Sequence, residues 1–247
     1  MSRLLSSELI KLRTTRTFYA LAAAAIGVSL LITILIAATE EATKADVLTD
    51  VFQNDASTLF IMILAIVGIT GEWRHRTITS SLLAAPDRIR FLAAKTLAFA
   101  AAGALLSLAV SISIGIAGYA ILGFRDQPTP ALSDVIDLFL RNAGVAALLG
   151  AFGVGVGALI RNQPTAIVAI LVFTFVVDPL LAAFTPAVDR FSPVGALPSA
   201  IQGIDPDDVG SPEVDFLAVV PALALMLVWI SALFAAGSAL LVSRDVE

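Results

Sequence analysis

The sequence predicts an all-α polytopic membrane protein: six spanning helices behind an N-terminal amphipathic helix. Three observations carry this reading. The 247 residues are 58% hydrophobic and only 14% charged, against about 45–50% and 25% in soluble domains. The apolar residues gather into six runs that reach or approach the roughly 20 residues a helix needs to cross a hydrocarbon core of about 30 Å. Basic residues concentrate in alternate connections, and such residues near span ends stay on the cytoplasmic side.

The same composition excludes several classes of function. A net charge of −5 without a basic fold motif argues against nucleic-acid binding. The absence of cysteine removes disulfides and thiolate ligands. The single histidine, His75, cannot make a multi-histidine metal cluster. No GxxxxGK[ST] phosphate loop is present, so the chain is not itself an ATPase. The spans lack the several midplane carboxylates expected of a proton-coupled carrier, and no selectivity-filter repeat suggests a channel. No catalytic, cofactor-binding or metal-ligating residues are therefore expected.

Residues 2–17 begin the chain. Leu4, Leu5, Leu9 and Leu12 recur at helical spacing, with Arg3, Ser7, Lys11 and Thr14 elsewhere on the wheel. This pattern predicts a helix lying in the inner interface, its cations meeting anionic headgroups. Span one covers 18–38 and is too long for the apolar core of a typical signal peptide. The acidic stretch from Thr39 to Asp55 follows, outside. Span two, 56–71, is short, and Val51 and Phe52 or a turn past Trp73 would lengthen it.

Segment 72–90 carries Arg74, Arg76, Arg88 and Arg90 against Glu72 and Asp87, which fixes it inside. A proline is tolerated in a first helical turn, so a helix is expected to start near Pro86, with Lys95 snorkelling to the interface. Span three covers 91–122, longer than one crossing. The next outer connection, 123–137, is rich in Pro and Asp.

Span four, 142–160, holds Gly150, Gly153 and Gly157, small residues that let helices approach closely in lipid. They serve either packing within the chain or a subunit interface. A tight turn at Arg161–Asn162–Gln163 leads to span five, 164–184. Its Asp178 lies toward the outer end and is expected to snorkel, to pair with Arg141, or to line an outer substrate path. The outer segment 185–215 contains a stretch, Phe191 to Ile201, apolar enough to dip into the interface as a broken or re-entrant piece. Span six covers 216–242.

This topology puts 11 of the 15 basic residues inside: Arg3, Lys11, Arg13, Arg16, Arg74, Arg76, Arg88, Arg90, Lys95, Arg161 and Arg244. Both termini are then cytoplasmic.

The opening SELIKLRTTRTFYAL and the segment GEWRHRTITSSLLAAPDRIRFLAAKTLAF resemble the first helix and first cytoplasmic loop of bacterial ABC-2-type transporter permeases. The six-span layout and the long outer segment before span six fit the same family. A departure is Arg76 before Thr77, where many relatives have glycine. The resemblance implies a permease in the bacterial cytoplasmic membrane, paired with a second permease, identical or homologous, above two P-loop ATPase subunits that bind ATP and Mg. It implies export of a hydrophobic or amphipathic substrate, such as a drug, lipid or peptide, between the two permeases. Glu72, Arg74, Arg76 and Arg88 would be polar contacts or pivots of the coupling segment, and Thr77, Ile78, Leu82 and Leu83 its shaped contact with the ATPase. A non-transporting anchor or sensory subunit of such a complex is the alternative, and an independent channel or carrier a third.

Overall fold

The computed structural model describes residues 2–39, 47–75, 77, 87–207 and 213–243. All regular structure among them is helical: α1 (Ser2–Thr14), α2 (Arg16–Thr39), α3 (Val47–Phe52), α4 (Ser57–Arg74), α5 (Arg88–Phe124), α6 (Leu132–Ile160), α7 (Gln163–Val172), a π-helical turn (Phe173–Val177), α8 (Asp178–Phe184), α9 (Pro186–Asp189), α10 (Ala196–Gln202) and α11 (Val219–Ser243). Six spans are long and apolar enough to cross a membrane. They are α2, α3–α4, α5, α6, α7–α8 and α11, and they form a polytopic all-α membrane fold.

The centre of the bundle is α4, α5 and α6. The apolar window of α6 is 67% buried, against 6% for α7–α8 and 11% for α11, so α6 is enclosed by the chain and the last two spans lie at its edge. Glycines make the central approach possible. A Cβ on Gly153 would stand 2.8 Å from the Met62 carbonyl oxygen of α4 and 2.9 Å from the Ala65 Cβ. One on Gly157 would stand 3.2 Å from the Ile66 Cα, and one on Gly150 would run into the Phe99 carbonyl of α5. The three glycines anticipated as packing residues thus face neighbouring helices of the same chain. The α2 helix docks through small residues four apart, Ala25, Ser29, Thr33 and Ala37, all buried, while Leu31 and Leu35 point outward.

Several boundaries differ from the sequence reading, each for a local reason. The second span is longer than 56–71 and discontinuous: α3 and α4 are separated by residues 53–56. The third starts at Arg88, because the Asp87 side chain accepts from the amides of Ile89 (3.1 Å) and Arg90 (3.0 Å) and caps the helix. Pro86 lies outside the described residues. The fourth begins ten residues before Asn142, at Leu132. Its added turns bury Val135 and Leu138 and close an Arg141–Asp137 ion pair of 2.7 Å across one turn, so acids assigned to a loop stand on a helix. In α11, Pro221 falls in the first turn, where its missing amide costs nothing.

The fifth span changes its winding before Pro179. Proline has no N–H for the carbonyl four residues back, and its ring crowds that carbonyl. The wider π turn at Phe173–Val177 sits where the ladder must yield. The tight turn before it is as expected: Arg161 ends α6 with a left-handed φ of 55°, and the Asn162 side chain caps α7 by accepting from the Thr165 amide at 3.1 Å.

The apolar stretch after the fifth span folds into short helices. Leu197 is fully buried, with Ala196, Ala200 and Ile201, where α10 packs on α11 and α6.

Candidate functional site

The amphipathic helix α1 does not merely rest beside the bundle. Leu4 and Leu12 pack on the core, and Glu8, one turn from each, is buried between them. An acid on the apolar stripe of a helix needs a cation, and two are supplied. Lys95 Nζ, from the second turn of α5, donates to Glu8 Oε2 at 2.7 Å, to Glu72 Oε1 at 3.2 Å and to the Gly68 carbonyl at 3.3 Å. Lys11 Nζ donates to Glu8 Oε1 at 2.7 Å and to Glu72 Oε1 at 3.1 Å. Glu72 Oε2 accepts from the Thr77 hydroxyl at 3.3 Å.

Two carboxylates and two ammonium groups thus alternate in a closed, neutral cluster linking α1, the last turn of α4 and the start of α5. Removing charges from water is costly, and a buried cluster persists only when each group is paired and hydrogen-bonded, as here. Lys11 is the outermost member. Burial pulls its pKa down, but the Glu8 and Glu72 carboxylates override this and hold it above the ordinary lysine value. Lys95 is only 2% exposed, so it does not snorkel to an interface.

The other residues anticipated on the coupling segment divide between surface and core. Arg74 is exposed and donates to Gln163 Oε1 at 3.2 Å, bridging to the turn before α7. Its neighbour Trp73 lies under the Arg161 guanidinium, 5.4 Å from the ring centroid. Arg88 donates to the Leu241 carbonyl and ties α5 to the end of α11. Glu72, expected as a polar contact or pivot, is buried in the cluster, at the wall of the cleft beside it. Thr77 is exposed apart from its bonds to Glu72. Arg76, Ile78, Leu82 and Leu83 lie outside the described residues. A cleft of about 610 Å³ opens beside the cluster, lined among others by Lys11, Phe18, Arg74, His75 and Gln163.

Asp178 and Arg141, considered as a pair at the opposite end of the bundle, are not joined. Arg141 pairs with Asp137, and Asp178 accepts from the Ser192 hydroxyl. The Asp178 carboxylate also sits where a Cβ on Gly195 would be, so a larger residue there would have to displace it. Asp178 therefore anchors the 192–195 turn onto the fifth span. Close by, Asp189 is buried, and its Oδ1 has no hydrogen-bond partner.

Burial, and then the Asp178 charge, raise the Asp189 pKa from 3.8 to about 6. The folded chain holds this proton more tightly than the unfolded chain. Its contribution to stability is fully present below about pH 4, falls as pH rises through about 6, and is level above that. Melting temperatures in detergent between pH 4 and 8 should show this step, and Asp189→Asn should flatten it. An identical profile in the variant would put the titration elsewhere.

Comparison of the sequence with protein-family models and with curated proteins gives no match.

Proposed function

We propose that this chain is a permease subunit of an ATP-driven transporter of the ABC-2 type, in a bacterial cytoplasmic membrane, with the α1 end of the bundle facing the cytoplasm. One observation carries the reading: the Glu8–Lys11–Glu72–Lys95 cluster. It joins an amphipathic surface helix to the two points where segment 75–87 leaves and rejoins the bundle. A force on that segment or on α1 is thereby delivered to α4 and α5 together. A chain without a phosphate loop needs such a device to take work from a separate P-loop ATPase, which would bind ATP and Mg. Two ATPase subunits and a second permease, identical or homologous, complete the assembly. The substrate is hydrophobic or amphipathic and leaves between the two permeases.

Arg74 is the contact residue and the cluster is the transmission. Differential contact with a partner in its two nucleotide states is what lets one equilibrium bias another. Native purification in mild detergent should recover a stoichiometric P-loop ATPase whose hydrolysis depends on this chain. Arg74→Glu should lower that stimulated hydrolysis about fivefold or more, with unchanged membrane insertion and melting temperature. Recovery of the chain alone, even after cross-linking in membranes, would refute the proposal. Binding and stimulation without substrate movement in vesicles would make it an anchor or sensory subunit instead.

A further inference from the structure

The break in the second span holds a second polar cluster, independent of the first and unrelated to any ATPase contact. Asp55 stands between α3 and α4. Read as part of an outer loop in the sequence, it lies instead at the level of Ser107, the midpoint of α5, and of Ser29, near the midpoint of α2. Along α5 that is about 18 Å from the Lys95 level, at 1.5 Å per residue.

Its surroundings are hydroxyls. Ser107 Oγ donates to Asp55 Oδ2, the Ser57 amide donates to Asp55 Oδ1 at 2.8 Å, and the neighbouring Ala56 amide donates to Ser29 Oγ at 2.9 Å. Ser57 and Ser111 flank the same carboxylate. Both are fully buried, and although both hydroxyls stand beside the carboxylate, neither makes a hydrogen bond of ordinary geometry. Among the described residues no lysine or arginine is paired with Asp55. A carboxylate at this depth is costly without a cation, and buried hydroxyls beside it with spare bonding capacity suit a bound water or ion.

We infer that Asp55 and the hydroxyls of Ser29, Ser57, Ser107 and Ser111 form a binding site for a small monovalent cation of the sodium class. The donor set is oxygen only, which suits hard cations. It carries one formal negative charge, so one positive charge neutralises it, whereas a divalent ion would leave an excess charge among apolar helices. Backbone interrupted at membrane depth is the setting in which such ions bind, held by unwound carbonyls and half-helix C-terminal ends. Here the C-terminal end of α3 and the N-terminal end of α4 flank the site, so a bound ion fastens the two halves of the second span to each other and to α2 and α5. The site belongs to this chain alone and stands or falls apart from the transporter reading.

The test uses the purified full chain in detergent, melted in NaCl, KCl and choline chloride at matched ionic strength. Sodium should raise the melting temperature saturably, by about 5 °C or more at concentrations far above the half-saturation point, with no rise in choline. Ser111→Ala keeps the charge and leaves the Ser107 and Ser57-amide bonds to Asp55 in place, and should move the sodium midpoint up roughly tenfold, the loss of one good ligand. Asp55→Asn should abolish the response. Equal stabilisation by choline, or an unchanged midpoint in Ser111→Ala, overturns the proposal. Stabilisation by acid alone, lost in Asp55→Asn, would assign a proton to the carboxylate and also overturn it.

Discussion

Replacing Lys95 with methionine should destabilise the folded chain by about 3–5 kcal/mol, the cost of leaving a buried charge pair broken. Methionine matches the length of the lysine stem, so the loss is electrostatic rather than a cavity. It leaves the Glu8 and Glu72 carboxylates to share the single Lys11 ammonium. The decisive measurement is a double-mutant cycle. Glu8→Gln in the Lys95→Met background should recover part of the loss, because it removes one of two carboxylates then sharing a single cation. Simple additivity would show that the two side chains do not share a network. The readout is melting temperature in detergent, with protease accessibility of α1 as a second probe. Undocking of α1 should accompany the destabilisation, since Glu8 is the polar tie on its packed face.

Gly150→Leu should cost about 3 kcal/mol, at the upper end of overpacking in a tight core, whereas Gly144→Ala should be neutral or stabilise by up to about 1 kcal/mol. The two sites are less than two turns apart on one helix and carry the same residue. A Cβ at Gly150 meets the Phe99 carbonyl, backbone that cannot swing aside, but a Cβ at Gly144 meets nothing within 4 Å. Equal effects on melting temperature would show that helix propensity, not the α5–α6 approach, governs these positions.

The architecture was legible because lipid solvates only apolar surface and closed helices. Six runs and the sign of their connecting charges therefore read directly from the residues. What was not legible is where a helix turns a polar residue inward. Glu8 carried a signal: it sits four residues from both Leu4 and Leu12, on the apolar face. Lys95 carried a weaker one, since a lysine near the start of a span reads equally as an interfacial anchor. Only the third dimension brings positions 8, 11, 72 and 95 together. Asp55 was misplaced for a related reason. The acidic stretch before it set the expectation of a loop, and a short broken helix such as α3 has too few residues to declare itself by periodicity. Local signals fared unevenly: the tight turn at 161–163 stands where the residues pointed, whereas the capping of α5 by the Asp87 side chain was not anticipated.

The length of α5 has a mechanical consequence. Its 37 residues make one uninterrupted rod of about 55 Å, well beyond the hydrocarbon core. It holds Lys95 near one end, while Gly118, near the other, lies against Phe52 and Val51 of the broken span. A rod of that length converts small angles into large displacements: tilting it by about 5° about Lys95 carries the far end sideways by about 4 Å. The charged cluster is then the grip of a lever. The groups moved by it are not beside the grip but on the opposite side of the bundle, around α3 and the start of α6.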